Sequence, residues 1–310
     1  MSDEDCLVGV VTGGNRGIGK AIVRQLLFQS EKPMIVYLTA RNVDRGQQAF
    51  DELKREQLRR ESEESVIRGN ELRFHQLDVG DVTSIQVFID YLTLMHGDQS
   101  IDVLINNAGG VVRRPNGGSS SSRSQHSSPE ADSIVRTCDA DTAYRLIHMN
   151  YYTAVSMTTM ALPHMRAHGR VVFLVTALAH LGIFSGDLPR VLTSDDLTLA
   201  GLNIIENGFI SSVGKGTYAN YGFPPMPFAV AKAGLIAFAR LLARSMSNDK
   251  RQLMFAAVCP GYVHTDMTGP YAPLTPDEGA ETPVYVALTD SKRLVRHNGG
   301  LWKRLKPMKW

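Results

Sequence analysis

The sequence predicts a single α/β domain, a doubly wound parallel sheet of about seven strands with helices on both faces. Three observations carry this. Short apolar runs alternate with longer stretches of helical periodicity along almost the whole chain. The runs are continuously apolar, as strands buried on both faces are. The first run leads into a glycine-rich turn, TGGNRGIG over 12–19, which opens a helix. A length of 310 residues suits one such domain.

The elements follow in order. Leu7–Val11 is the first strand. The helix after the turn starts near Gly17 and carries Ile18, Ile22, Val23, Leu26 and Leu27. Residues 33–40 hold Ile35 to Leu38, a second buried strand with Arg41 just beyond it. A helix is predicted over 44–60 with Phe50 and Leu53 inward, followed to residue 69 by a solvated stretch dense in both charge signs. Residues 72–79 form the third strand, ending Leu77-Asp78-Val79, and a helix with Ile85, Val87, Phe88, Ile89 and Leu92 follows. Ile101–Asn106 is the fourth strand, closed by Asn106-Asn107-Ala108-Gly109.

Residues 111–133 break the alternation. They are polar and serine-rich, and such a segment buries too little apolar area to offset its ordering, so it is expected to be a disordered surface insertion. A long helix is predicted over 139–168, bearing Asn150. The fifth strand is expected over 171–175, with Thr176 at its end. A second excursion, 185–225, holds enough Leu and Ile to pack. A helix over 227–246, a sixth strand over 253–258 ending Cys259-Pro260-Gly261, a helix over Pro276–Leu288 and a short last strand near 299–302 complete the chain.

Composition bounds the function. A net charge of +2 gives no pull toward nucleic acid or an acidic membrane. The three cysteines, Cys6, Cys138 and Cys259, are scattered, which suggests no disulfide framework and no metal site and fits a reducing, cytoplasmic setting. No signal-peptide core or membrane-length apolar run is read.

The glycine turn is the chemical centre. A strand, a glycine-rich turn and a helix in succession put unpaired backbone N–H groups at a helix N-terminus, where partial positive charge holds a phosphate. Gly13 permits the tight turn, Gly17 lets a pyrophosphate approach the backbone, and Gly19 lets helix and strand pack closely. The residue after the second strand discriminates between cofactors: an NAD site places an acid there, whereas here Ala40-Arg41-Asn42 follows the strand. Arg16 lies in the turn itself. Two guanidinium groups suit a 2′-phosphate, hence NADPH.

TGGNRGIG, LTARN, FHQLDV, NNAG, Asn150, CPGYVHTDM and DEGAETPVYVAL occur in one order. With them the chain resembles the short-chain dehydrogenase/reductase family, and within it the monomeric NADPH-dependent carbonyl reductases. The resemblance runs nearly end to end, except for the serine-rich insertion and part of the charged loop before Leu72. It implies a Rossmann-type fold and a cofactor site formed by Gly13, Asn15, Arg16, Gly17, Ile18 and Gly19. Ile18 would lie beside the nicotinamide ribose. Asp78 and Val79 would bracket the adenine, and Asn106, Ala108 and Gly109 the adenosine ribose. Pro260, Gly261, Val263 and Thr265 would seat the nicotinamide carboxamide, and Lys232 would bind the nicotinamide ribose. The inserted helical segment of that branch, here 185–225, covers the helix face on which other members dimerise, so a monomer acting on a small carbonyl or quinone is implied.

The family's catalytic set is an Asn, a Ser or Thr, a Tyr and a Lys. By resemblance Asn150, Thr176 and Lys232 fill three of these positions. The Tyr position is Phe228, in Phe228-Ala229-Val230-Ala231-Lys232. Phe fills the same volume but has no transferable proton, and losing a positioned general acid slows a reaction ~10²- to 10⁴-fold. Tyr218, Tyr221, Tyr262, Tyr271, water or Lys232 itself remain as substitute donors. Two functions therefore stand side by side: a slow carbonyl or quinone reductase, and a catalytically silent NADPH-binding sensor or interaction protein. Nucleotide-sugar epimerase or dehydratase chemistry uses the same fold but also needs the missing Tyr.

Overall fold

The computed structural model describes residues 6–62, 69–112, 138–269 and 271–310. Among them one sheet has the order β3-β2-β1-β4-β5-β6-β7-β8. Its strands are β1 Leu7–Val11, β2 Met34–Ala40, β3 Glu71–Gln76, β4 Ile101–Asn106, β5 Met165–Leu174, β6 Met254–Val258, β7 Leu301–Lys303 and β8 Lys306–Met308. All neighbours pair in parallel except β7 and β8, which are antiparallel. Strand order reverses between β1 and β4, which opens a crevice at the carboxyl ends of the strands.

The helices are α1 Gly17–Gln29, α2 Val43–Ser62, α3 Val82–His96, α4 Ala140–Ile147, α5 Thr153–Ala161, α6 Leu188–Leu192, α7 Leu199–Gly214, α8 Pro227–Ser245, α9 Pro276–Leu288 and the short α10 Ser291–Leu294. Adjacent strand residues face opposite cores. Val36 and Leu38 pack with Ile22, Leu53 and Val284 from α1, α2 and α9. Ile35 and Tyr37 pack with Phe88, Ile147 and Phe238 from α3, α4 and α8. Two-sided burial is why the strands read as continuous apolar runs. Helix starts carry local signals: Asp81 caps α3 through the Thr83 N–H, and Thr275 with Glu278 forms a capping box ahead of Pro276.

The structure corrects four expectations. The predicted helix over 139–168 is instead α4, a π-turn over His148–Tyr152, and α5. Its last residues belong to β5, which begins at Met165 rather than 171. Arg166 there is held by Asp102 and the Cys6 carbonyl, and a register shift between β4 and β5 absorbs the extra length. The third strand stops at Gln76, short of Asp78. β8 was not expected, because three residues including Pro307 carry no strand pattern. On α3, Ile85, Phe88, Ile89 and Leu92 are buried and Val87 is 56% exposed. The serine-rich insertion over 111–133 falls outside the described residues from 113 onward.

Within 185–225, α6 and α7 form, with Leu192, Leu197 and Leu202 buried and Ile204 turned outward. The α7 helix packs against α4 and α8. It brings a carboxyl with it: Glu206 is buried, one oxygen lies where a Cβ on Gly234 would sit, and the other has no hydrogen-bond partner. Burial pushes this carboxyl well above the usual carboxylate range. The unfolded chain releases the proton near the ordinary glutamate value, about 4.3, while the folded chain keeps it. Stability from this group is therefore full at acid pH and falls as pH rises through that value toward the raised one. Thermal melts of wild type and Glu206→Gln between pH 4 and pH 8 should show that downward slope reduced in the variant.

Candidate active site

The glycine turn joins the two halves of the sheet. The Thr12 N–H donates to the Ile105 carbonyl at 3.0 Å and the Gly14 N–H to the Thr39 carbonyl at 2.8 Å. The Thr12 hydroxyl oxygen accepts from the Asn107 and Ala108 N–H groups, each at 3.0 Å, and donates to the Ile105 carbonyl. Asn107 Nδ2 donates to the Thr12 and Gly13 carbonyls at 2.9 and 3.1 Å. Gly13 and Gly17 take φ of 65° and 52°, which L side chains adopt at a cost. At Gly19 a Cβ would lie 2.3 Å from the Gly13 carbonyl oxygen and 2.4 Å from Asn107 Nδ2. No side chain caps α1, and no acid stands in its first turn. Its free N–H groups and positive end suit an anionic ligand, so the residues present fit a dinucleotide pyrophosphate.

The loop after β6 folds over this turn. Gly261 takes φ of 92°, and Val263, 2% exposed, pairs with Leu274 in an isolated bridge. Thr265 approaches Gly17, its Cγ2 lying 3.2 Å from where a Cβ on that glycine would stand. Half-buried Ile18 packs on the α1 side of the core, and Asn15 and Pro260 are half-buried at the turn and loop. Arg16 reaches across to Asp266 at 3.1 Å, and Arg41 Nε lies 4.0 Å from Asp78. Arg16, Asp266 and Arg41 are exposed and Asp78 is half-buried, and pairs so open to solvent contribute ~0–1 kcal/mol. Either guanidinium can leave its partner for a phosphate at little cost.

Asp78 also serves its own turn, accepting from the Gly80 N–H at 2.9 Å while its N–H donates to the Ser84 hydroxyl. Val79 packs against the core beside it. The Asn106 side chain does not reach the crevice; it is buried and donates to the Thr158 hydroxyl at 2.9 Å. Ala108 and Gly109 follow at the strand end, half-buried and exposed.

Asn150, Thr176, Phe228 and Lys232 come from the π-turn, the end of β5, and α8. Asn150 is 1% exposed. Its Nδ2 donates to the Gly110 and Leu146 carbonyls, and its Oδ1 accepts from the Gly110 N–H. The side chain is fully engaged in holding the end of the β4 loop, so its contribution is positional. A π-turn widens the helix by one residue and recurs at functional sites. Thr176 is half-buried, and its hydroxyl oxygen accepts from the Leu178 N–H at 3.2 Å. That bond leaves the hydroxyl proton to donate outward.

Lys232 is 6% exposed and donates to the Leu174 carbonyl at 2.8 Å. Its Nζ lies 3.6 Å from where a Cβ on Gly109 would stand and 5.7 Å from the Phe228 ring centre. Burial lowers its ammonium to about 8. Among the described residues no carboxylate is paired with it, in contrast to the half-buried Arg166, which pairs with Asp102. The ammonium therefore faces the loop that follows the glycine-turn crevice.

Thr12 and Asn107 were missed as site residues. The signal was present in the consecutive asparagines of NNAG, but the sequence does not say which of the two turns inward. Among the described residues no group of His, Cys, Asp or Glu could hold a metal, and no helix is long and apolar enough to cross a membrane. Cys138 and Cys259 are free thiols.

Comparison with known proteins bears on this arrangement. The profile of the family described as short chain dehydrogenase matches residues 8–186. Human carbonyl reductase [NADPH] 1 is 35% identical over 287 residues, covering 91% of this chain and 90% of that protein. Human carbonyl reductase [NADPH] 3 is 34% identical over 286 residues, with 91% and 90% covered. Among solved structures, salutaridine reductase from Papaver somniferum superposes with a TM-score of 0.74 at 26% identity, covering 92% of this chain and 96% of that one.

The close approach at Gly19 yields a test. A Cβ there must displace either the Gly13 peptide or Asn107, so Gly19→Ala is expected to weaken dinucleotide binding by at least about tenfold, the equivalent of ~1.4 kcal/mol. Titration of NADPH fluorescence against protein of confirmed fold would measure it.

Proposed function

Because the chain belongs to the short-chain dehydrogenase family, we propose that it binds NADPH and reduces small carbonyl or quinone compounds, slowly because Phe228 stands at the acid position. One observation supports this above the others. The uncapped α1 N-terminus and the buried Lys232 ammonium flank a single crevice whose walls are tied together through Thr12, Asn107 and Asn150.

Bound NADPH would supply a hydride from its nicotinamide. The chain's residues do the rest. The α1 N–H groups hold the pyrophosphate. Arg16 and Arg41 pair with the 2′-phosphate, and Asp78 accepts from the adenine amine. Lys232 donates to the nicotinamide ribose, and the Thr176 hydroxyl donates to the substrate carbonyl, where charge develops as hydride arrives. With Phe228 in place the proton comes from water or from Lys232, whose pKa of about 8 puts its acid form near working pH. Tyr221 and Tyr271 are 65% and 73% exposed, which argues against a shielded acid at either place.

A second reading has a specific observation in its favour. Phe228 removes the phenol while the glycine turn, Arg16, Arg41 and Lys232 remain in place, which is the pattern of a protein that senses or presents NADPH without turning it over. The packing of α7 on α4 and α8 supports a monomer, and the free thiols Cys138 and Cys259 support a cytoplasmic setting.

NADPH titration followed by oxidation assays on quinones, aldehydes and ketones separates the readings. Wild type is expected to bind NADPH and to turn over slowly, and Phe228→Tyr to gain about 10²- to 10⁴-fold in kcat. Binding with no turnover in wild type, and turnover in Phe228→Tyr, would establish the silent binder. Absence of NADPH binding would overturn both. Arg16→Ala and Arg41→Ala should each weaken NADPH about tenfold, in keeping with loss of a charge-assisted bond of ~1.5–3 kcal/mol, and leave NADH binding nearly unchanged. Sedimentation at dimer mass would count against the monomer.

A further inference from the structure

Thr176 does not stand on a free strand end. It opens a one-turn 3-10 helix, Ala177–Ala179, and bonds hold that turn at both ends. At the start, the Thr176 hydroxyl oxygen accepts from the Leu178 N–H at 3.2 Å, and the Thr176 carbonyl accepts from the Ala179 N–H at 3.2 Å. At the far end, the Ala179 carbonyl accepts from the indole Nε1–H of Trp310 at 2.6 Å. Trp310 lies two residues beyond β8, 131 positions from its acceptor. Its ring packs against the same core as Leu181 and Ile183, which continue the turn. Ala179 is fully buried, whereas Leu178 beside it is 42% exposed at the mouth of the crevice.

We propose that Trp310 is a positioning residue for substrate: it pins the Ala179 carbonyl, and through the Ala177–Ala179 turn it fixes the direction in which the Thr176 hydroxyl donates. The inference rests on the reading of Thr176 as the hydroxyl that meets the carbonyl substrate. Its physical basis is short. A buried carbonyl that loses its donor is left unsatisfied, and the turn can relieve this by opening toward solvent. Opening removes the Leu178 N–H from the Thr176 oxygen, and the hydroxyl then rotates freely. A hydroxyl with two rotors open holds a carbonyl less well than one with its lone pair already engaged. None of the cofactor contacts passes through this turn, so dinucleotide binding is insulated from it.

Trp310→Phe tests this, since it keeps a packed ring and removes only the N–H. Two readouts are used. Amide hydrogen exchange over 177–183, without substrate, is expected to quicken in Trp310→Phe while the α1 and α8 amides stay protected and the NADPH dissociation constant changes less than twofold. Steady-state kinetics are then measured in the Phe228→Tyr background, where turnover does not depend on the wild-type rate. There Trp310→Phe should lower kcat/KM for the carbonyl substrate about five- to tenfold, the loss of roughly one hydrogen bond, with KM for NADPH unchanged. The deciding comparison is a cycle with Thr176→Ala. If Trp310 acts through Thr176, its effect on kcat/KM disappears once the hydroxyl is gone. An undiminished effect in Thr176→Ala, or unchanged exchange over 177–183, would overturn the proposal. If the Phe228→Tyr protein binds NADPH yet reduces nothing, the reductase reading fails and the positioning role fails with it. In that case quickened exchange would still establish the contact as structural.

Discussion

A parallel sheet whose strand order reverses at its centre has to solve one problem: the connections leaving β1 and β4 run to opposite sides, and the peptide groups left at the strand ends need partners. Thr12 and Asn107 meet that need. Through one hydroxyl and one carboxamide they tie the end of β1 to the end of β4 and fix the path of the glycine turn between them. Gly19 then permits α1 to sit against that path with no intervening side chain. The rest of the crevice hangs on this lock. The loop carrying Thr265 and Asp266 folds onto the turn it holds, and the strand end that it fixes leads directly to Gly110, where Asn150 takes over.

Much of the fold was legible because the physics is local and repeated. Strands buried on both faces must be apolar throughout, as β1, β2 and β6 are, and a glycine turn before an amphipathic helix has few other uses. The π-turn around Asn150 was not legible. It differs from an α-helix by a single residue of register, and no side chain from His148 to Tyr152 announces it. The first half of β5 was hidden by Arg166, Ala167, His168 and Gly169, which read as a helix end. What makes them sheet is a partner, Asp102, 64 residues away. Nothing in the sequence singles out Glu206, and only the packing of α7 onto Gly234 shows that it is buried.

The site shows the same division. Residue types at motif spacing single out the turn, the two arginines, Thr176, Phe228 and Lys232 as candidates. Direction of side chains was beyond the motif: Asn106 turns into the core toward Thr158, and Asn107 does the work at the crevice. The charge state of Lys232 was equally out of reach. It follows from the burial of the ammonium, which is a property of the packed fold and of no short stretch of sequence.

The antiparallel pairing of β8 has a consequence for how the chain behaves in a crowded solution. A parallel sheet that ended at β7 would present a row of open peptide groups to any strand that drifted past. Here the last strand runs the other way, spans only Lys306–Met308, and carries a proline at its centre opposite Trp302. Proline offers no donor to a newcomer and lysine resists stacking on a like charge, so the sheet is terminated at this border. The molecule thereby closes one of the two lateral edges, that beyond β7, along which fibrous association would grow.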